Sequence, residues 1–209
     1  MAYHPVLFHP VKSLLLSNDR TRVALLCASA GISVYTPHTA LDCCVGGVND
    51  WLCGALGHGV SSPVVPAAAS LSQPGAGSAR THVLSKHASM RQVIARVKQR
   101  LNLAYVRTAL ASKNNTRLTL DCPLIGSVAV CCGSGGMLLD SPLVPDLILT
   151  GELTHHQQLQ ALAQGSSIIM CEHASSERGY LAELKTRLEA LDAFEVLISK
   201  KDVEHLFIV

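Results

Sequence analysis

The chain has 209 residues, 48% of them hydrophobic and 15% charged, with a formal net charge of +2. That length holds one good core or one two-layer domain with additions, and a chain this apolar is globular rather than disordered. A net charge so close to zero gives no footprint for nucleic acid or for a membrane surface, so neither partner is expected.

Aromatic residues make up 4%, so the core must be Leu, Val, Ile and Ala. Ten His raise the prior for a metal or proton-handling site. The eight cysteines (Cys27, Cys43, Cys44, Cys53, Cys122, Cys131, Cys132 and Cys171) form no C-x-x-C pair, and several lie in apolar runs. They read as buried, reduced thiols of an intracellular protein. The first residues carry no secretory pattern and are not Arg-rich, and no run reaches the roughly 18 apolar residues of a membrane helix. A cytoplasmic location is expected, with a nuclear one alongside it and a mitochondrial one left open.

The chain opens on Tyr3-His4-Pro5 and His9-Pro10, either a loose terminus or the edge of a site. Arg22 to Ala30 reads as a helix ended by Gly31, and Ile32–Thr36 as a strand. That strand runs into His38 and Asp42, at the carboxyl end where open α/β sheets place their ligands. Asn49 to Leu56 reads as a helix with Asn49 as its cap. Val60 to Ala79, rich in Ser, Pro, Ala and Gly, reads as a mobile linker. Ser89 to Leu101 is the clearest helix, with Met90, Val93, Ile94, Val97 and Leu101 on one face. Its basic face (Arg91, Arg96, Lys98, Arg100) reads as solvated surface.

Ser127 to Cys132 reads as a buried strand followed by Gly133-Ser134-Gly135-Gly136. Those glycines lack the spacing and the Lys-Ser/Thr of a phosphate loop, so they read as a tight turn. Asp146–Thr150 is the next strand. Glu152, His155 and His156 follow it, with Glu152 and His156 on one face of a helix that runs through Ala163 to Gly165. Ile168 to Met170 is a third apolar run, leading to His173 and Glu177, four residues apart at a helix start. Imidazole and carboxylate together suit zinc and other first-row metals. Leu181, Leu184, Leu188 and Leu191 mark another helix, Phe194–Ile198 a last strand and His205–Val209 a tail. The alternation predicts an α/β fold with a mixed sheet and flanking helices. Residues 1–59 and 83–209 are expected to be two parts of one domain joined by the linker 60–82.

Five blocks in this order carry a resemblance: Tyr3-His4-Pro5; Pro37-His38-Thr39-Ala40-Leu41-Asp42 with Gly47-Val48-Asn49; Cys132-Gly133-Ser134-Gly135; Thr150-Gly151-Glu152-Leu153-Thr154-His155-His156; and Glu172-His173-Ala174-Ser175-Ser176-Glu177-Arg178-Gly179. Together they resemble the Nif-three-like proteins, also labelled GTP cyclohydrolase 1 type 2 homologues, and the animal type more than the bacterial. The resemblance implies an α/β fold, a ring-shaped homohexamer and one or two divalent cations (zinc, iron or manganese). It implies His4, Asp42 (bridging), His173 and Glu177 as metal ligands, with His38 and His155 or His156 as their support. Glu152 would be a candidate for moving protons.

The first motif departs from the family's frequent His-His-Pro, because Tyr3 stands where one ligand of a second metal would be. The family also has a helix and a strand before that motif, so an N-terminal segment is expected to be missing here. Two functions follow from the resemblance. One is a metal-dependent hydrolase acting on a purine nucleotide. The alternative is a non-catalytic, oligomeric interaction protein associated with transcriptional co-regulators.

Overall fold

The computed structural model describes residues 1–68, 73–113, 116–121, 124–193 and 195–202. They form two compact units, Met1–Asp42 and Cys43–Val209.

In the first unit, helix α1 (Asp19–Ser29) starts three residues earlier than the apolar spacing suggests. The reason is Asn18, whose side chain accepts a hydrogen bond from the Arg20 N–H at 3.0 Å and caps the helix. The strand expected over Ile32–Thr36 is absent. Its backbone bonds are not those of a sheet: Ile32 N–H donates back to Cys27 O (2.8 Å), Ala2 N–H donates to Tyr35 O (3.0 Å), and just past the run His38 N–H donates to Tyr3 O (3.1 Å). Ile32, Val34 and Tyr35 are exposed, so the β-branched residues that suggest a strand have no sheet to pack on. Helix α2 (Thr39–Cys43) follows directly.

The second unit begins with helix α3 (Val48–Cys53). Strand β1 (Gly59–Ser62) is next, then the short strands β2 (Val65–Pro66) and β3 (Gly77–Ser78), which pair with each other. After these come β4 (Arg80–Ser89), α4 (Met90–Leu101), β5 (Arg107–Ala109) and the paired β6 (Ser112–Lys113) and β7 (Thr116–Arg117). The chain continues through β8 (Leu124–Ser134), β9 (Leu147–Glu152), α5 (His155–Gln164), β10 (Ser167–Met170), α6 (His173–Arg178) and α7 (Tyr180–Glu189). The main sheet has the order β1-β4-β8-β9-β10-β5. Its centre, β8-β9-β10, is parallel, and the other pairs are antiparallel. The fold is therefore the expected mixed α/β.

The three parallel strands carry the core. Val128, Val130, Leu147, Ile148, Leu149, Ile168 and Ile169 are at most 2% exposed, as expected for strands covered on both faces. Strand β10 is the tightest case, because all four of its residues are buried. Helix α4 opens with a full capping box, Ser89 and Gln92 each bonding the other's backbone.

Several expectations change here. The Ser/Pro/Ala-rich stretch is not a linker throughout, because it contains β1, β2 and β3. All four residues of β1 are exposed, so no hydrophobic period announces the strand; its order comes from pairing with β4. Residues 69–72 of that stretch lie outside the described residues. Asn49 does not cap α3. It is buried, and its Oδ1 accepts the Cys132 N–H at 2.8 Å. Residues 195–198 form no strand; Phe194 and His205–Val209 lie outside the described residues. Of the cysteines, Cys53, Cys131, Cys132 and Cys171 are buried thiols outside any disulfide, whereas Cys27, Cys43 and Cys44 are only half-buried. Cys122 lies outside the described residues.

Arg80, which no sequence pattern marks, is 2% exposed. Its Nε donates to Asp50 Oδ1 at 2.6 Å. Its other nitrogens reach Asp50 Oδ2 (3.0 Å), Gly77 O (2.6 Å), Ala79 O (2.7 Å), Cys44 O (3.0 Å) and Cys43 O (3.4 Å). A buried guanidinium is tolerated only when its donors are met in this way. Arg80 thereby holds the carbonyls at the end of α2.

Candidate metal centre

The polar residues singled out by the sequence are divided between the two units, His4, His38 and Asp42 in the first and Glu152, His155, His156, His173 and Glu177 in the second. In the second unit, β10 ends at Met170, and two residues turn the chain into α6 at His173. Glu172 makes that turn at φ 65°, an unusual conformation for a residue with a side chain. Four helical residues place Glu177 over His173. His173 Nε2 lies 3.3 Å from Glu177 Oε1, and His173 Nδ1 lies 2.9 Å from Glu152 Oε1. The side chain of Glu177 is 11% exposed, and that of His173 38%.

Backbone fixes this group from below. Ser176, fully buried, donates its hydroxyl to His173 O (2.6 Å) and accepts the Gly133 N–H (2.8 Å). Thr150 Oγ1 donates to Gly133 O at 3.2 Å. Gly133 sits at φ +66°, and a Cβ there would lie 2.7 Å from Glu177 Oε1 and 2.9 Å from His173 Nε2. The glycines after β8 are thus no phosphate cradle. They let the backbone pass close under an imidazole and a carboxylate.

The hydrogen bond with Glu177 and, after it, that with Glu152 raise the pKa of His173 to about 9, against the opposing effect of burial. The donor set fits a divalent cation. If a cation displaced the Nε2 proton, a His whose Nδ1–H is held by a carboxylate would offer it the Nε2 lone pair, which is the usual way a protein orients a metal-binding imidazole. A carboxylate at 3.3 Å from Nε2 is a second donor. Both residues are among those able to hold a metal ion. Glu152, read from sequence as sharing a helix face with His156, is instead the last residue of β9. It acts on His173 rather than on α5. His155 and His156 open α5, both exposed, with their rings packed together at 5.6 Å.

In the first unit, His38 stands at the turn into α2 with φ 36°. Its ring packs at 5.0 Å from His4, 5.8 Å from Tyr3 and 5.7 Å from Phe8. Tyr3 lies edge-on to His4 at 4.9 Å. The Tyr3 hydroxyl donates to Asp42 Oδ1, and the Asp42 N–H reaches His38 O at 3.3 Å. His4, His38 and Asp42 are therefore gathered in one place. Tyr3, which sequence reasoning treated only as a missing ligand, is the residue that joins them. Ser176, Gly133 and Arg80 were the other residues missed. Only Gly133 left a signal, as part of the glycine run after β8.

Residues 1–205 match the family described as Duf34/NIF3 (NGG1p interacting factor 3). The Schizosaccharomyces pombe "Protein NIF3 homolog" is 34% identical over 99% of this chain and 74% of its own length. The Saccharomyces cerevisiae "NGG1-interacting factor 3" is 34% identical over 99% of this chain and 72% of its own. Among solved structures, a Bacillus cereus protein related to NIF3 superposes with a TM-score of 0.77 at 17% identity, over 100% of this chain and 82% of that one. Reduced HcgD from Methanocaldococcus jannaschii gives 0.69 at 20% identity, over 90% and 68%. Those two likenesses concern the fold. The family match over almost the whole length shows that this chain belongs to the Duf34/NIF3 family.

Proposed function

We propose that this protein binds a divalent cation and uses it in a hydrolytic reaction. His173 and Glu177 are its ligands in the second unit, and His4 and Asp42 in the first. The observation that carries this reading is His173, held at Nδ1 by Glu152 and set beside Glu177 at Nε2. Glu152 fixes the tautomer, Ser176 anchors the His173 carbonyl, and Gly133 leaves the room a cation needs. His38 packs on His4 and steadies its ring. A bound zinc, iron or manganese ion would lower the pKa of a water toward neutrality and supply the nucleophile. The family label of GTP cyclohydrolase homologue suggests a purine nucleotide as the substrate class.

Metal analysis of the purified protein tests the site. Wild type is expected to carry metal, and His173→Ala and Glu177→Ala to lose it while keeping their circular dichroism. A wild type without metal would sink the proposal. Nucleotide hydrolysis that survives in Glu177→Ala would remove the catalytic part.

The yeast relative's name, NGG1-interacting factor 3, favours a second reading, a homo-oligomer that docks a transcriptional co-regulator and works partly in the nucleus. Light scattering tests the assembly that this reading needs: a hexamer is expected, and a monomer counts against it.

A further inference from the structure

We infer that Tyr3 limits Asp42 to one cation per chain, by engaging one of its two carboxylate oxygens; this rests on the metal ligation proposed above. The Tyr3 hydroxyl donates to Asp42 Oδ1. A carboxylate that bridges two cations gives one oxygen to each. An O–H aimed at Oδ1 competes for the lone pairs that the second cation would take. A hydrogen bond to an ionised oxygen is also among the stronger ones.

The phenol is not a loose partner. Its ring is set edge-on to His4 at 4.9 Å and to His38 at 5.8 Å, with interplanar angles of 80° and 89°. Its own carbonyl accepts the His38 N–H at 3.1 Å. Only two side-chain torsions separate this anchored backbone from the hydroxyl, so the donor has little freedom to swing away. Tyr3 is thus a positioning residue. It orients Asp42 as Glu152 orients His173, but with the opposite sense: Glu152 accepts a hydrogen bond from its ligand, and Tyr3 donates one to its ligand. Each unit then contains a ligand whose second polar atom is held by a neighbour. A His in place of Tyr3 would reverse the chemistry, since an imidazole offers a lone pair where the phenol offers a proton.

Zinc counting on the stripped and reloaded protein tests this. The full chain is treated with chelator, reloaded with zinc(II), freed of excess and measured by elemental analysis and native mass spectrometry. One zinc per chain is expected in wild type; Tyr3→Phe frees Oδ1 but brings no lone pair to complete a second site, so it too should hold one. Tyr3→Phe should bind it about tenfold more weakly, the scale of loss when a ligand's hydrogen-bond partner is removed. Tyr3→His should take up a second zinc. Two zinc ions per wild-type chain would overturn the inference and leave the metal site standing. So would a folded Tyr3→His that stays at one, or a Tyr3→Phe with unchanged affinity. A folded wild type that binds none would overturn the metal site itself.

Discussion

The junctions before α2 and before α6 look alike in sequence, each a β-prone run followed by a His and a carboxylate four residues on. They are built differently. The run before α6 is β10, every residue buried and paired to β9 on one side and β5 on the other. The run before α2 lies outside the sheets, bonded through its backbone to Cys27 and Ala2, with His38 just after it bonded to Tyr3. What they share is the turn itself. His38 and Glu172 both sit at positive φ just before their helices, so each junction stores a little strain to aim the residues that follow. The difference is where the precision comes from. At His173 the sheet and Ser176 supply it; at Asp42 it comes from one phenol and the packing of three rings.

The comparison predicts that backbone changes matter most at the second junction. Gly133→Ala is expected to have the largest effect. Its φ of +66° already disfavours a side chain, and the new Cβ would lie 2.7 Å from Glu177 Oε1. The strain alone is worth about 1–3 kcal/mol, and metal retention should fall with it. Gly165→Ala is the control, since it shares the positive φ, +96°, but has nothing within 4 Å. Denaturant unfolding of the two variants separates strain from crowding. Equal losses would mean that the approach of Gly133 to His173 and Glu177 is not tight.

A smaller effect of the opposite sign is expected at Glu172→Gly. Glycine adopts φ 65° without the Cβ penalty. The substitution also removes the Arg107–Glu172 ion pair at 2.9 Å, but an exposed pair of this kind contributes about 0–1 kcal/mol. Relief of strain, worth about 1 kcal/mol or more, should balance or exceed that. A higher denaturation midpoint is expected, and a clear drop would show that the turn at residue 172 is not strained.

How much of this was visible in the sequence follows from what each element depends on. Strands β8, β9 and β10 are legible because strands buried on both faces become continuous apolar runs, and α4 is legible because one face is buried and the other wet. Strand β1 is not, since its order comes from a neighbour and its side chains are all exposed. The supposed strand at Ile32–Thr36 fails for the converse reason: the residues favour a strand, but no partner strand is beside them. Of the proposed site, His38 with Asp42 and His173 with Glu177 are legible as a His and a carboxylate at the same spacing, whereas His4 is marked only by the resemblance. The roles of Glu152, Ser176 and Tyr3 are not, because hydrogen bonds between residues 21, 43 and 39 positions apart leave no local pattern.

The smallest expected effect is a pH dependence outside both junctions, which serves as their reference. His82 is buried in β4, with Nε2 at 3.2 Å from Gly57 O and Nδ1 at 2.8 Å from Ser61 Oγ. Burial lowers its pKa from 6.5, and the Gly57 carbonyl only partly offsets this. The sign follows from which state takes the proton first. Above about pH 6.5 the ring is neutral in both the folded and the unfolded chain, and contributes nothing to any pH dependence. As pH falls below that, the unfolded chain binds the proton while the folded one still refuses it, so stability declines. The decline ends only below the folded pKa, where both states are charged. His82→Gln keeps an amide able to reach the Gly57 carbonyl but has no proton to gain. Its denaturation midpoint should therefore fall less between pH 7 and pH 5 than that of wild type. Parallel curves for the two proteins would mean that His82 does not titrate differently on folding. Any remaining slope then belongs to other groups, with the His173 imidazole the first to test.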